Sequence, residues 1–151
     1  MTDLTPSEVV RRAYHAAFCR RYEDANRWVE PRLLDSLRKS HEAMRGSLAE
    51  IRRLAKANPS SLNRRLQALV AGIEEIVPLA DGRQMWRNRR HGGSVVRFVI
   101  VRETIRSNRA WVTIRLHLKE GSMVEHREVL HRGKDGWRIA EWLEKRRRTS
   151  A

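Results

Sequence analysis

The residues of this chain that could do acid–base chemistry are few and far apart. His126 and Glu128 stand two positions apart in the segment from Met123 to His131. In an extended strand that spacing puts both on one face, together with Val124 and Leu130. A carboxylate beside an imidazole can tune its proton affinity, which is what a general base needs. On a solvent face the same pair would be ordinary cross-strand charge partners, and this outward placement is the expectation. Tyr14 offers a phenol whose hydroxyl needs a partner if it is buried. Asp24 supplies a carboxylate at the entry to a second helix, and His15 lies at the rim of the first. The catalytic candidates are therefore Tyr14, Asp24, His126 and Glu128.

Other chemistries find little support. His41, His91, His117, His126 and His131 are scattered at no spacing that suits zinc, so no metal is expected. The glycines fall at turns rather than in a phosphate-cradling loop, and no cofactor is expected. Cys19 is the only cysteine, so no internal disulfide can form. It adjoins Arg20 and Arg21, surroundings that can activate a thiol, but a packed thiol on the first helix is the expectation. A lone thiol suits a reducing cytoplasm, and the first residues carry no secretory pattern. No run approaches the roughly 20 apolar residues of a membrane span. A cytoplasmic protein without a membrane span is expected.

Charge is the most pronounced feature of the composition. Lysine and arginine number 32 against 18 acidic residues, a formal net charge of +14. Such an excess attracts polyanions: nucleic acid, anionic lipid or an acidic protein face. Locally it concentrates between Arg83 and Gly93, where Arg87, Arg89 and Arg90 surround Trp86. Arginines around an aromatic could hold a phosphate backbone and stack a base. The alternative is a solvated basic loop, or a short edge strand, with Trp86 tucked into the core. The tail adds Arg146, Arg147 and Arg148. Together these seven residues are the candidates for polyanion binding.

The elements that must position these groups follow from periodicity. Thr5-Pro6-Ser7-Glu8 is a helix start with a capping box, and Val10, Ala13, Tyr14, Ala17 and Phe18 form one apolar stripe behind it. A short helix is expected from Asp24 to Val29, with Asp24 as its cap. From Leu34, the positions Leu37, His41, Met44, Leu48, Ile51 and Ala55 alternate three and four, a heptad seam. With the stripe Leu62, Leu66, Leu69, Val70 and Ile73, this predicts a helical hairpin from Pro31 to Val77. The run Val95–Val101 is apolar on both faces, which predicts a central or doubly covered strand. From Ala110 to Lys119 the alternation is clean: Val112, Ile114, Leu116 and Leu118 on one face, Trp111, Thr113, Arg115 and His117 on the other. Turns at Glu120-Gly121-Ser122 and Gly133–Gly136 lead to a third strand and to a fourth ending near Trp142. The chain reads as one α+β domain over 1–144: helices across 5–77 packed on a curved antiparallel sheet of four or more strands across 94–142. A basic tail occupies 145–151.

Several stretches resemble the nuclear-transport-factor-two-like superfamily, which includes the SnoaL-like cyclases. They are Pro6–Ala17, the entry Tyr22-Glu23-Asp24-Ala25, and the strand ends Lys119–Ser122 and Gly133–Ile139. The hairpin from Pro31 to Val77 is larger than that family usually carries. The resemblance implies a cone, a strongly curved sheet wrapped around the helices. It also implies a cone interior that some members use for catalysis, often with an Asp or His base, and others for ligands. Many members dimerise through the outer sheet face.

These observations favour a non-enzymatic binding or assembly module. Its basic surface would meet an acidic protein or nucleic acid, and it would self-associate as a homodimer through Trp111, Thr113, Arg115 and His117, since tryptophan and arginine dominate interface hot spots. The alternatives are an isomerase-, dehydratase- or cyclase-like enzyme using the cone interior, and direct nucleic-acid binding.

Overall fold

A computed structural model describes residues 3–57, 82–89 and 95–150, with the backbone alone described beyond 141. Helix α1 spans Pro6–Phe18 and begins as its sequence dictates. Thr5 Oγ1 accepts the Glu8 backbone N–H at 3.2 Å, and Glu8 Oε2 accepts that of Thr5 at 2.8 Å. The reciprocal bonds satisfy two donors that a helix start leaves without partners. The stripe Val9, Val10, Ala13 and Tyr14 is buried.

Helix α2 is shorter and earlier than expected, Tyr22–Asn26. Asp24 lies inside its first turn rather than at its cap, where negative charge suits the helix dipole. Helix α3 runs Pro31–Ala57. On its heptad seam His41 and Leu48 are buried, Leu37 and Ile51 half-buried, and Met44 exposed. The second arm of the expected hairpin lies outside the described residues. Helix α4 spans Gly82–Arg89, where the sequence suggested a loop or edge strand. A helix there lets the chain bury both Met85 and Trp86.

The sheet is a four-stranded antiparallel meander in the order β1 (Val95–Arg106), β2 (Arg109–Leu118), β3 (Ser122–Gly133) and β4 (Gly136–Ser150). Tight turns join the strands, with Gly121 and Gly136 at φ of +92° and +93°, a backbone that only glycine adopts without strain. Strand β4 continues past Trp142, and its backbone pairs with β3 as far as Ser122↔Ser150. The segment read as a tail is thus largely strand.

The sheet is open, not closed into a barrel. Among the described residues β1 is an edge, which corrects the expectation of a central or doubly covered strand. Its apolar run was misleading because two bulges, between Val95 and Arg97 and between Ile100 and Arg102, break its period. Val96, Val99, Val101 and Ile105 remain exposed. The β4 edge is capped instead. Val29 makes a parallel bridge to Ile139, the Ile139 N–H donates to the Trp28 carbonyl, and the Glu30 N–H donates to the Ile139 carbonyl, both at 2.8 Å. That bridge anchors the helices to the far end of the sheet.

One sheet face meets the helices. Ala110, Val112, Ile114 and Leu116 of β2 pack with α1, Trp86, Leu130, Trp137 and Ile139 in one buried cluster. Tyr14 and Phe18 both reach Phe98 of β1, with ring centroids 5.3 and 5.7 Å apart. The α+β class and the order of helices before meander agree with expectation. No helix among the described residues is long and apolar enough to cross a membrane.

Candidate functional site

Register decides which side chains share a face. In the β2–β3 ladder Ile114 opposes His126 and Val112 opposes Glu128. Directly opposed residues point to the same side of a sheet. His126 and Glu128 therefore face the helices, and both are 0% exposed. This overturns the outward placement. Val124 and Leu130, two residues to either side, belong to the same inward row.

Glu128 meets Tyr14 from across the core. The Tyr14 hydroxyl donates to Glu128 Oε1 at 2.6 Å. Tyr14 is itself buried, between Phe98 and Trp86. Three of the four catalytic candidates thus gather in the interior: Tyr14 and Glu128 directly, with His126 two residues along the same row. The phenol tethers α1 to β3 and satisfies a carboxylate that would otherwise be costly to bury.

The fourth does not join them. Asp24 lies at the surface between Arg21 and Arg27, at 3.9 and 3.8 Å. Exposed pairs of this length are worth little. His15 is exposed, and so is Cys19, which corrects the expected packed thiol. Cys19 caps the end of α1 with its sulfur 3.7 Å from His15 Nε2.

Trp86 is no stacking platform. It is 3% exposed, and its Nε1–H donates to Asn26 Oδ1 at 2.8 Å. Helix α4 turns the indole toward α2 and α1 while Arg87 stays exposed. The side chain of Arg89, Arg90, and the side chains of Arg146, Arg147 and Arg148 lie outside the described residues. Among the described residues no group of three or more His, Cys, Asp or Glu could hold a metal.

The outer face of the sheet is a different surface. Trp111, Thr113, Arg115 and His117 all stand on it, each half-buried. Their partners across the ladder, Thr104, Arg102, Val99 and Arg97, extend the face onto β1. Strand β3 adds Glu125 and Arg127. The bulge at Val101 increases the local twist of β1. There the face forms an open concavity of about 610 Å³ whose lining includes Arg102, Arg106, Arg115, Arg127, Glu125 and Trp111. Drug-sized ligand sites span about 300–1,000 Å³.

The electrostatics of this concavity are one-sided. Arg115 Nη2 is bound to Glu125 Oε1 at 3.0 Å, and Arg109 packs over the Trp111 ring at 5.3 Å while bridging to Glu141 at 3.2 Å. Arg102, Arg106 and Arg127 have no carboxylate partner among the described residues. Guanidinium groups are planar forks matched to carboxylate and phosphate oxygens. The sequence showed the β2 part of this face. It did not show that β1 and β3 would add four arginines, because bulges shift the β1 alternation.

No family model matches the chain, and no curated protein matches it. Among solved structures, it is similar to a crystal structure described as a "putative NTF2-like transpeptidase" from Campylobacter jejuni. The likeness has a TM-score of 0.45 at 9% identity, covering 91% of this chain and 99% of that one. The helices followed by an antiparallel meander are the architecture that the sequence motifs suggested.

Proposed function

We propose that this protein is a non-enzymatic binding module that takes an acidic partner on the outer face of its sheet. The observation that carries the reading is the concavity lined by Arg102, Arg106, Arg115 and Arg127 with Glu125 as the acidic residue there. Three of those arginines lack a carboxylate partner among the described residues, and Glu125 is occupied by Arg115. An anion entering there meets donors already on a sheet scaffold, which lowers the ordering cost of binding.

Self-association through the same face is the weaker form of this reading. Two copies laid face to face would set arginine against arginine, and like charges in contact oppose binding by several kcal/mol. What weighs against chemistry in the interior is that Tyr14, His126 and Glu128 are each at most 2% exposed. A substrate would have to open the core to reach them.

The test is binding of fluorescein-labelled poly-glutamate, followed by anisotropy at increasing salt. Affinity should fall with ionic strength, because exposed charges are screened within about 8–10 Å. Arg102→Glu with Arg106→Glu should weaken binding at least tenfold. Lys39→Glu with Arg45→Glu, an equal change of charge at exposed positions on α3, should change it less than twofold. Equal losses in both variants would mean that net charge alone is read, and the proposal fails.

A further inference from the structure

The free edge of β1 borders the cationic face, and its two sides differ in chemistry. On the outer side stand Val99, Arg102, Thr104 and Arg106; on the inner side stand Phe98, Ile100, Glu103 and Ile105. Among the described residues nothing pairs with this edge, although β4 at the opposite end is capped by Val29. Native edge strands usually carry charges that discourage pairing. This one carries Arg97, Arg102, Glu103 and Arg106 and two bulges, yet it also exposes Val96 at 53%, Val101 at 44% and Ile105 at 49%.

We infer that β1 accepts an extended peptide as a fifth strand, with acidic and apolar residues alternating along it. The inference rests on the reading of the outer face as an acid-binding surface. A strand added to an edge satisfies the main-chain donors and acceptors left open there, and its side chains fall alternately on the two faces. Every second side chain would lie beside Arg102, Thr104 and Arg106 and reach the concavity, where a carboxylate meets guanidinium. The side chains between would lie beside Glu103 and Ile105, where an apolar group packs on Ile105. The inner carboxylate Glu103 does not repel such a ligand at full strength, since its Oε1 accepts the Ser7 N–H at 2.9 Å at the start of α1. The bulge at Val101 sets the length: Arg102–Arg106 is the unbroken run of ladder, which suits a segment of about five residues.

This pattern separates a peptide from a nucleic acid. A phosphodiester chain offers charge to the outer face and nothing to the apolar inner side of the edge. It also separates the acidic peptide from a second copy of this chain, whose β1 would bring Arg97, Arg102 and Arg106 to the same edge.

The probe is a fluorescein-labelled eight-residue peptide of alternating Glu and Val. Its comparators are the block isomer with four Glu followed by four Val, the alternating peptide N-methylated at every second residue, and oligothymidylate of equal charge. The alternating peptide should bind at least tenfold tighter than the block isomer. N-methylation in one of its two phases should weaken it at least tenfold, and oligothymidylate should bind more weakly. Ile105→Lys, at an exposed position, should weaken the alternating peptide at least fivefold without lowering poly-glutamate affinity. Equal affinity for both isomers overturns the strand inference while leaving the acid-binding face standing. Failure of every anionic probe overturns both. Tighter binding of oligothymidylate assigns the surface to nucleic acid and overturns the inference. So does a concentration-dependent dimer that excludes the peptide and dissolves on Ile105→Lys.

Discussion

Tyr14→Phe isolates one atom of the interior. Phenylalanine keeps the ring contacts to Phe98 at 5.3 Å and to Trp86 at 6.0 Å. It removes the hydroxyl that donates to Glu128 Oε1 at 2.6 Å. Glu128 is 0% exposed, so water cannot take over that bond without opening the core. Losing one buried hydrogen bond costs about 1–3 kcal/mol. The expected loss is therefore about 1–3 kcal/mol. For a protein of this length each kcal/mol moves Tm by about 2–4 °C, so Tm should fall by about 2–12 °C. Urea unfolding checks it: the midpoint should drop with m unchanged, since the exposed surface is the same. Tyr14→Phe combined with Glu128→Leu should cost less than the sum of the single changes, because both changes remove the same bond. A Tyr14→Phe protein within about 0.5 kcal/mol of the parent would refute the reasoning. The same variant bears on function. Below its Tm it should bind poly-glutamate as the parent does, and a folded variant that had lost binding would mean the interior takes part.

Three further outcomes are expected. Trp86→Phe removes the bond to the half-buried Asn26 and should destabilise by about 0.5–1.5 kcal/mol in thermal unfolding, while affinity for oligothymidylate stays unchanged because the indole is buried. Deleting Val101 should restore a regular β1–β2 ladder and flatten the concavity, so poly-glutamate affinity should fall several-fold with the circular dichroism spectrum unchanged; retained affinity would separate the bulge from binding. His41 lies buried on α3, and desolvation lowers its pKa below the ordinary 6.5. Between the two values the unfolded chain binds more protons than the folded one, so stability is full above about pH 6.5 and declines as pH falls through that window. His41→Leu should remove that part of the slope in melts at pH 7.5 and 5.5.

Much of this fold could be read from local pattern, and the failures have definite causes. The capping box at Thr5 and the alternation Val112-Ile114-Leu116-Leu118 are signals complete within a few residues, and both appear in the structure as read. The direction of His126 and Glu128 was also encoded, by Val124 and Leu130 on the same row. Polar type masked it, because two ionisable side chains in a row suggest solvent. The burial of Glu128 is met by Tyr14, 114 positions away, and no local pattern announces such a partner. Trp86 was ambiguous for a related reason: its flanking arginines describe one side of α4, whereas Asn26, which fixes the indole, is 60 positions away.

The same sheet therefore keeps two kinds of polar group by opposite means. On the inner face Glu128 is held by a phenol in a closed core, where adding or removing one hydrogen bond is a matter of stability. On the outer face Arg102, Arg106 and Arg127 stand in a solvent-open concavity, where the same charge density costs little in the free protein and is available to a ligand. A buried carboxylate that already has its donor has little left to offer a substrate. A guanidinium without a carboxylate partner retains its donors for one. The β1 edge joins the two environments, since a strand laid along it would touch the apolar row on one side and the arginines on the other. That junction is why the chemistry expected of a partner is alternation of acidic and apolar residues, and not negative charge alone.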